Sequence, residues 1–399
     1  MNLDEIDLPE IDAEVEGITA EELRGRVKRG EAITVIDTRR NREYEKWKIE
    51  GKSVKSINVP YTEFVDEEID DEVLARIPND RLVTAVCAKG KSSEFVAKVL
   101  AERGYEVEHL DDGMEGWASI YEAVEVERYE GRGTLVQYRR PSSGCLAYMI
   151  YDEDEALVID PLRFFADRYI EDAKERGAEL VYALDTHIHA DHISGVRALD
   201  ERGVEGVVPE PAVARGVTYA DELTAVSDGD VLKVGGVGIE AVHTPGHTSG
   251  MTSYLVDDAF LATGDGLFVE TVARPDLEEG DEGAPDAARK LHESLQERIL
   301  KLDADVLVGG AHYSSFAEPA EDGTYTATLD ELKGRIGVLS MEREKFVETV
   351  LADMPPRPAN YKEIIAVNLG REEADDEEAF TLELGPNNCA VGNEALAGD

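Results

Sequence analysis

The feature that most constrains this chain is a short segment rich in metal-binding side chains. Residues 180–184 form an apolar run that predicts a buried strand, and residues 186–192, Thr-His-Ile-His-Ala-Asp-His, follow it almost directly. His187 and His189 lie two positions apart just past the strand end, so both side chains can point into one cavity. Asp191 and His192 follow at the start of a predicted helix. Imidazole and carboxylate groups together are typical ligands of zinc or iron, whereas calcium and magnesium prefer mostly oxygen.

Three later segments carry further ligand-type side chains, each after an apolar run that predicts a strand. His247 follows a Pro-Gly pair, Asp265 lies between two glycines, and His312 follows Gly-Gly-Ala. Glycine lets the backbone approach a metal closely. The alternative is that these histidines are hydrogen-bonded core residues. We favour that alternative for His243, and the metal interpretation for residues 187–192.

Short apolar runs alternate with helical patterns in two systems, which are divided near residues 122–133. Thr19 is a predicted helix N-cap, with Glu22 as its capping-box partner. The predicted strands are 32–37, 82–86, 107–110, 146–151, 156–159, 180–184, 238–242, 252–256, 260–262 and 306–308, and the predicted helices are 92–103, 164–176, 287–300 and 329–352. The acidic stretch 372–379 predicts an exposed turn. This alternation predicts an α/β fold with two domains, 17–121 and 129–399, the second including a C-terminal helical extension.

A second reactive position is predicted at Cys87, where a strand passes into a helix. Backbone N–H groups and a helix N-terminus favour an anion in such a loop, and Lys89 and Lys91 add positive charge. This setting favours a reactive thiolate over a buried structural thiol. The predicted sulfur-binding loop consists of Lys89, Gly90, Lys91 and Ser92. The other two cysteines, Cys145 and Cys389, are predicted to pack in the core.

The net charge of the chain excludes two classes of partner. The chain has 87 acidic and 41 basic residues, a net charge of −46, and such a surface repels nucleic acid and anionic membranes. The acidic residues are spread along the chain, which suggests a halophilic source; stability against KCl concentration tests this hypothesis.

Three cysteines form no disulfide framework and indicate a reducing cytoplasm. Residues 1–16 lack the features of a signal peptide, and no run is apolar for long enough to span a bilayer.

Residues 18–121 carry a set of motifs found together in one known domain. They are Val-Ile-Asp-Thr-Arg at 35–39, the stretch 44–51, Ile-Asn-Val-Pro at 57–60 and Leu-Asp-Asp-Gly-Met-Glu-Gly-Trp at 110–117. Together with the cysteine loop, which is similar to CxxGxRS, they resemble a rhodanese, a sulfurtransferase domain. We place Lys91 at the usual arginine position, which keeps the charge but loses a bidentate fork. The resemblance implies that Cys87 carries a transferred sulfane sulfur as a persulfide.

Residues 129–313 carry the metal-ligand segments in the order of a recurring metal fold. They resemble the metallo-β-lactamase superfamily, whose αββα sandwich holds metal between two sheets. In that pattern one metal would be held by His187, His189, His247 and Asp265. A second metal would be held by Asp191, His192, His312 and the bridging Asp265. All these positions are filled, so the ligands alone do not fix the number of metals.

Flanking residues favour one branch of this superfamily, the persulfide dioxygenases. The matching segments are Thr-His-Ile-His-Ala-Asp-His-Ile-Ser-Gly at 186–195, Gly-Asp-Gly-Leu-Phe at 264–268, Ala-Arg-Pro-Asp-Leu at 273–277, the stretch 352–361 and Pro-Asn-Asn-Cys at 386–389. The resemblance implies one non-haem Fe(II) held by His187, His247 and Asp265, with open positions for O₂ and substrate. A low-molecular-weight thiol persulfide would be oxidised to sulfite, releasing the thiol. His189, Asp191, His192 and His312 would then lie behind these ligands, where they would orient them or relay protons instead of holding a second metal.

Two other functions stay open at this point. A glyoxalase II-type hydrolase would use a dinuclear zinc site to activate water for thioester hydrolysis, and the rhodanese-like domain would be accessory. The alternative to iron as cofactor is therefore one or two zinc ions. A non-catalytic sulfur carrier would use Cys87 alone, and full dioxygenase turnover in a Cys87→Ser variant would exclude it. The resemblance also implies a homodimer, because relatives often pair. It leaves the thiol carrier open among glutathione, coenzyme A and another small thiol.

Overall fold

The structure, a computed structural model, describes residues 8–65, 69–314, 317–352 and 354–391. The expectation about a signal peptide falls partly on residues 1–7, which lie outside the described residues. Contacts divide the chain into two compact units. Unit 1 comprises Met1–Ile120 and Arg140–Ser142, and unit 2 comprises Tyr121–Arg139 and Ser143–Asp399. Among the described residues, no helix has both the length and the apolar character needed to cross a membrane.

Unit 1 is built around one parallel sheet. Its strands are β1 (Glu16–Ile18), β2 (Ile33–Asp37), β3 (Val54–Asn58), β4 (Val83–Val86) and β5 (Val107–Leu110), and its helices are α1 (Ala20–Lys28), α2 (Asn41–Lys46), α3 (Asp71–Leu74), α4 (Lys91–Glu102) and α5 (Gly113–Ala118). The strand order is β1-β5-β4-β2-β3, and every neighbouring pair is parallel. The predicted capping box is confirmed: the Glu22 N–H donates to Thr19 Oγ1, and the Thr19 N–H donates to the Glu22 carboxylate.

Helices cover both faces of this sheet, as a parallel sheet requires. The central strands β2 and β4 are therefore buried at every position. Leu23 of α1 and Trp117 of α5 pack in one apolar cluster, and Phe95 and Leu100 of α4 pack in another. Cys87 follows β4 directly, so it lies at the carboxyl end of a central strand.

Unit 2 contains two sheets and the remaining helices. The strands are β6 (Glu122–Glu125), β7 (Thr134–Arg140), β8 (Cys145–Asp152), β9 (Glu155–Ile159), β10 (Glu179–Leu184), β11 (Glu205–Pro209), β12 (Thr224–Val226), β13 (Val231–Val234), β14 (Val237–His243), β15 (Thr252–Val256), β16 (Phe260–Gly264), β17 (Leu307–Gly310) and β18 (Ala327–Thr328). The helices are α6 (Ala166–Glu175), α7 (Val196–Asp200), α8 (Glu210–Val213), α9 (Gly280–Ser294), α10 (Leu329–Arg335), α11 (Arg343–Ala352), α12 (Tyr361–Asn368) and α13 (Asp376–Leu382). One sheet has the order β12-β11-β10-β9-β8-β7-β6 and the other β13-β14-β15-β16-β17-β18.

The two sheets pack face to face through a shared apolar core. Leu157 and Leu184 of the first sheet belong to the same cluster as Tyr254 and Phe260 of the second. The outer face of the first sheet is covered by α6 and α7, and that of the second by α9, α10 and α11. This gives the four layers of an αββα sandwich, so the predicted fold class is confirmed.

The carboxyl ends of several strands deliver the ligand-type side chains. His187 follows β10, His247 follows β14, Asp265 follows β16 and His312 follows β17. β16 and β17 are adjacent and parallel, so their carboxyl ends lie at the same edge of the sheet. The predicted strands at 146–151 and 156–159 correspond to β8 and β9, which form an antiparallel hairpin up to the Asp152–Glu155 pair.

Three predicted elements differ from the structure. The helix expected to start at Asp191 and His192 begins only at Val196, as α7. The helix predicted at 329–352 is interrupted at Ile336, whose backbone is extended between Gly334 and Gly337. Glycine adds conformational freedom there, and the helical pattern resumes in α11. The acidic stretch 372–379 is not simply an exposed turn, because α13 begins within it. Asp375 caps that helix, and Glu378 completes a capping box.

Candidate metal centre and cysteine loop

Three predicted ligands converge at a buried position in unit 2. His187, His247 and Asp265 are each at most 1% exposed. Oδ2 of Asp265 lies 3.4 Å from Nε2 of His247 and 3.7 Å from Nε2 of His187. One ligand atom from each residue lies within 4.8 Å of the other two. A single ion could therefore contact all three.

Each of these side chains keeps one polar atom without a hydrogen-bond partner in the described part of the chain. These atoms are Nε2 of His187, Nε2 of His247 and Oδ2 of Asp265. The opposite atoms are anchored: His187 Nδ1 is 2.9 Å from Thr186 Oγ1, His247 Nδ1 donates to the Arg274 carbonyl at 2.9 Å, and Asp265 Oδ1 accepts from His312 Nδ1 at 2.6 Å. A buried polar atom left unpaired costs about 1–3 kcal/mol. Three such atoms that face one another fit a bound cation.

The electrostatics of the three residues also suit a metal. Burial lowers the pKa of His187 well below its usual value, and the neighbouring His189 and His247 rings act in the same direction. Burial likewise lowers the pKa of His247. Burial on its own raises the pKa of Asp265, but the charge and hydrogen bond of His312 outweigh it, so the pKa is lowered. Neutral imidazole and ionised carboxylate are the forms that bind a divalent ion.

Asp160, which the sequence analysis did not single out, anchors the histidine segment from behind. Its Oδ1 accepts from the Thr186 N–H at 2.7 Å, and its Oδ2 accepts from Thr186 Oγ1 at 3.0 Å. The Thr186 hydroxyl donates its proton to Asp160, so its oxygen can accept a hydrogen bond from Nδ1 of His187. Nε2 of that ring then carries no proton and can bind a metal. Asp160 directly follows β9 and has a left-handed backbone with φ of 52°. The sequence signal that could have indicated this role was a carboxylate directly after an apolar strand.

His189 lies in a different group from the three converging ligands. Its Nε2 is 3.1 Å from Asp160 Oδ1 and 3.5 Å from Asp185 Oδ1, and these three residues form their own cluster. Burial and His192 lower the pKa of His189, but Asp160 and Asp185 outweigh them and raise it to about 9. Its other ring nitrogen, Nδ1, is buried without a partner among the described residues.

Asp191, His192 and His312 form a neighbouring group together with Cys145. Asp191 Oδ2 lies 2.7 Å from His312 Nε2, 3.3 Å from His192 Nδ1 and 3.3 Å from Cys145 Sγ. His312 therefore bridges Asp191 and Asp265. Burial lowers the pKa of His312, but the two carboxylates outweigh it and raise the pKa well above the usual value. Nε2 of His192 and Oδ1 of Asp191 have no partner in the described structure, so this group could also accept a ligand.

The two cysteines predicted as core residues are buried but face the ligand groups. Cys145 is 1% exposed, and burial and Asp191 raise its pKa, but hydrogen bonds to His192 and His312 lower it below the usual value. Cys389 is fully buried, which raises its pKa well above the usual value, and its sulfur lies within 4.8 Å of ligand atoms of Asp265 and His312. Their approach depends on tertiary structure, which spacing in the sequence does not reveal.

His243 joins none of these groups in the described structure. Its Nε2 donates to the Ser249 carbonyl at 3.0 Å, which is the hydrogen bond expected for it, although the side chain is half-buried and does not lie in the core.

The Cys87 loop in unit 1 presents its sulfur to two donors. The Gly90 N–H donates to Sγ at 3.1 Å, and the buried Ser93 hydroxyl lies 3.2 Å from Sγ. Lys89 Nζ lies 3.6 Å from the Glu115 carboxylate, and Lys91 is the exposed first residue of α4. The loop therefore combines local donors at the sulfur with two cations nearby.

Two glycines fix the shape of this loop. Gly90 has φ of 89°, and a Cβ there would meet the Asp111 carbonyl at 1.6 Å. Gly113 has φ of 56°, and a Cβ there would meet the Cys87 carbonyl at 2.3 Å. The Met114 N–H donates to that same carbonyl at 2.8 Å. The first turn of α5 thus holds the cysteine in place.

The placement of Lys91 at the arginine position of CxxGxRS is wrong. Counted from Cys87, Gly90 is the glycine and Ser93 the serine, so Ser92 occupies the arginine position. The contact of Ser93 with the sulfur agrees with this register. Ser93, which the predicted loop omitted, provides the hydroxyl that was expected of Ser92. The loop has no arginine, so its positive charge comes from Lys89 and Lys91.

Comparison with known proteins agrees with both units. Residues 19–120 match the rhodanese-like domain family, and residues 141–312 match the metallo-beta-lactamase superfamily. The mitochondrial persulfide dioxygenase ETHE1 of Homo sapiens is 30% identical over 241 residues, which cover 59% of this chain and 87% of the human protein. The chain belongs to the ETHE1 family of the metallo-β-lactamase superfamily. The predicted order of a rhodanese-like domain before a persulfide dioxygenase-like domain is confirmed.

Two further relatives of this ETHE1-family chain mark the range of the similarity. The crystal structure of ETHE1 from Myxococcus xanthus aligns with a TM-score of 0.51 and 29% identity, over 59% of this chain and 98% of that one. A hydroxyacylglutathione hydrolase of Francisella philomiragia is 34% identical over 171 residues, which cover 41% of this chain and 61% of the hydrolase. The family and fold imply a bound metal in unit 2, and both oxidation and hydrolysis occur among its relatives' named activities.

Proposed function

We propose that unit 2 is a persulfide dioxygenase that holds one Fe(II) through His187, His247 and Asp265. The observation that carries the proposal is the convergence of three buried ligand atoms that have no hydrogen-bond partner in the described structure. Two imidazoles and one carboxylate are the ligand set of non-haem iron oxygenases. The similarity to named persulfide dioxygenases over most of their length supports this choice of metal and reaction.

The proposed reaction converts a thiol persulfide, O₂ and water into the free thiol and sulfite with release of protons. The outer sulfur loses four electrons, and O₂ gains the same number while the sulfur–sulfur bond breaks. Bound iron would supply the redox step and the coordination positions at which substrate and O₂ meet, which redox-silent zinc would not. The substrate would be a persulfide of a low-molecular-weight thiol.

The protein's own residues would hold the ligands in place and move protons. Asp160 and Thr186 keep Nε2 of His187 unprotonated, and the Arg274 carbonyl does the same for His247. His312 lies between the carboxylates of Asp265 and Asp191, where it can hold the proton that the departing thiol requires. We assign His189, Asp191, His192 and His312 to this supporting role.

We assign sulfur transfer to unit 1, with Cys87 as the nucleophile. Its sulfur accepts hydrogen bonds from Gly90 and Ser93, and these donors would stabilise a thiolate or a Cys87 persulfide. The two activities use the same chemical species, because the first makes or consumes persulfides and the second oxidises them. We propose residues 17–121 and 129–399 as the two functional domains.

The test is an oxygen-electrode assay on protein loaded anaerobically with Fe(II). Persulfides of glutathione, coenzyme A and a simple thiol are offered in turn. We expect O₂ consumption with at least one of them, and metal analysis giving a single bound iron. Protein that holds iron and leaves O₂ untouched with every persulfide would contradict the proposal.

A zinc-dependent thioester hydrolase is the second candidate. It is favoured by the similarity to hydroxyacylglutathione hydrolase and by the group of Cys145, Asp191, His192 and His312, which could hold another ion. Hydrolysis of a glutathione thioester by protein that contains two zinc ions, without any O₂ uptake, would favour this candidate.

A further inference from the structure

The closing segment of the described chain, residues 386–391, lies against the candidate metal centre. We call it the closing strap. Cys389 in this strap is fully buried, and its sulfur lies within 4.8 Å of ligand atoms of Asp265 and His312. Ala390 forms a β-bridge with Ala273, and the Val391 N–H donates to the Val272 carbonyl at 3.1 Å. The strap is thus fastened along residues 272–274.

Arg274 connects this strap to the metal ligand His247. Its backbone N–H donates to the Cys389 carbonyl at 3.1 Å, and its backbone carbonyl accepts from Nδ1 of His247 at 2.9 Å. The backbone N–H of Arg274 therefore holds the strap, and its backbone carbonyl orients the metal ligand His247.

The Arg274 side chain reinforces the same connection. Only 1% exposed, it donates to the Asn388 carbonyl at 2.9 Å and to the Pro356 carbonyl at 3.0 Å. It also forms a two-point ion pair with Asp276, at 2.7 and 3.1 Å. Because guanidinium is planar and carries five donors, it can hold these partners at once, whereas a lysine would not.

We propose that Arg274 is a positioning residue: by clamping the closing strap it fixes the carbonyl that orients His247, and so sets the metal affinity of the site. This rests on the proposed metal centre of His187, His247 and Asp265. Partners that orient metal-binding histidines typically alter metal affinity by about 10- to 100-fold when they are lost. The strap is part of the metal centre in this account, although it lies more than a hundred residues from His247 in the sequence.

Two variants loosen the strap from opposite sides. Arg274→Gln removes the clamp, and Asn387→Ala removes a side chain that donates to the Ser143 carbonyl at 2.6 Å and accepts from the Cys389 N–H at 3.1 Å. Arg357→Gln is the matched control. Arg357 pairs with the same Asp276, at 2.9 Å, but also with Asp281 and not with the strap in the described structure.

The first measurement is the rate at which each cysteine of the metal-free protein is alkylated, read by mass spectrometry of its peptide. We expect Cys389 to react at least about tenfold faster in Arg274→Gln and Asn387→Ala than in the unaltered protein and in Arg357→Gln, because labelling of a buried thiol follows local opening. Cys87, in the other unit, is the internal reference. This readout does not depend on any enzymatic activity.

The second measurement is the binding of Fe(II) and of Co(II), whose visible spectrum reports the ligand geometry. Arg274→Gln should weaken binding by about 10- to 100-fold and alter the Co(II) spectrum, with a smaller change in Arg274→Lys. If Arg274→Gln does not fold, the inference is tested with Asn387→Ala and Arg274→Lys, by the same measurements of Cys389 labelling and metal binding. The inference is overturned if the strap variants match Arg357→Gln in Cys389 protection and in Co(II) spectrum. Failure of the dioxygenase assay alone would contradict the proposed function and leave these binding results intact.

Discussion

The metal centre of unit 2 and the cysteine loop of unit 1 are built in opposite ways. The metal centre draws His187, His247 and Asp265 from the ends of three strands. The neighbouring Thr186 anchors His187, and two residues distant in the sequence, Arg274 and His312, anchor His247 and Asp265. The cysteine loop places its sulfur and both donors within residues 87–93, and glycine conformation fixes its shape. Substitutions of side chains should therefore damage the first site, and changes of backbone freedom should damage the second.

The largest expected effect is that of Asp265→Ala. It removes the only carboxylate of the three converging ligands, so metal content should fall and O₂ uptake with a persulfide should drop about 100-fold or more. Sulfur transfer by unit 1 should be unchanged, which a thiosulfate- or persulfide-to-thiol assay checks. Equal loss of both activities would show that the two sites are not separable as described.

Cys87→Ser should give the reverse pattern. A hydroxyl cannot carry a sulfane sulfur, so sulfur transfer should fall to background. Fe(II) content and O₂ uptake with a preformed persulfide should stay at the level of the unaltered protein. Loss of O₂ uptake in this variant would mean that unit 2 receives its substrate only through Cys87.

Gly90→Ala tests the claim that backbone shape controls the cysteine loop. The new Cβ would overlap the Asp111 carbonyl, and φ of 89° is unfavourable for alanine, so we expect about 1–3 kcal/mol of destabilisation and a large loss of sulfur transfer. Gly104→Ala is the control, because Gly104 has φ of 82° with nothing within 4 Å of the new Cβ. Should both variants behave alike in thermal melts and sulfur transfer, crowding at Gly90 would not matter.

Asp160→Asn should have the smallest effect of the four. An amide keeps the size of the side chain but supplies only one acceptor, so Thr186 and His189 can no longer both be satisfied as they are now. Iron affinity should fall about tenfold while the fold is retained. Chelator competition measures the affinity, and circular dichroism checks the fold. Unchanged iron affinity would mean that Asp160 stabilises the backbone but does not position the metal ligands.

The sequence predicted best what is local. The segment at 186–192, the capping box of Thr19 and Glu22 and the α/β alternation follow from short-range patterns, and the structure contains them. The contacts of Cys145 and Cys389 with the ligand groups were not predicted, because they depend on how β8 and the closing strap pack against distant strand ends.

Two local errors and one omission have physical causes as well. The acidic stretch 372–379 was taken for a turn because acidic residues usually lie in solvent, yet α13 begins within it and Asp375 and Glu378 form its capping box. The helix predicted at 329–352 ignored the two glycines that flank its break. Asp160 was passed over because a single carboxylate at a strand end carries little information until its partners are known.

Iron-dependent oxidation is tested by comparing the same protein loaded with Fe(II) and with Zn(II) in the presence of a thiol persulfide and O₂. We predict that the iron form consumes O₂ and produces sulfite in equal amounts, and that the zinc form does neither. Sulfite formation without O₂ consumption, or equal rates in both forms, would contradict an iron-dependent persulfide dioxygenase.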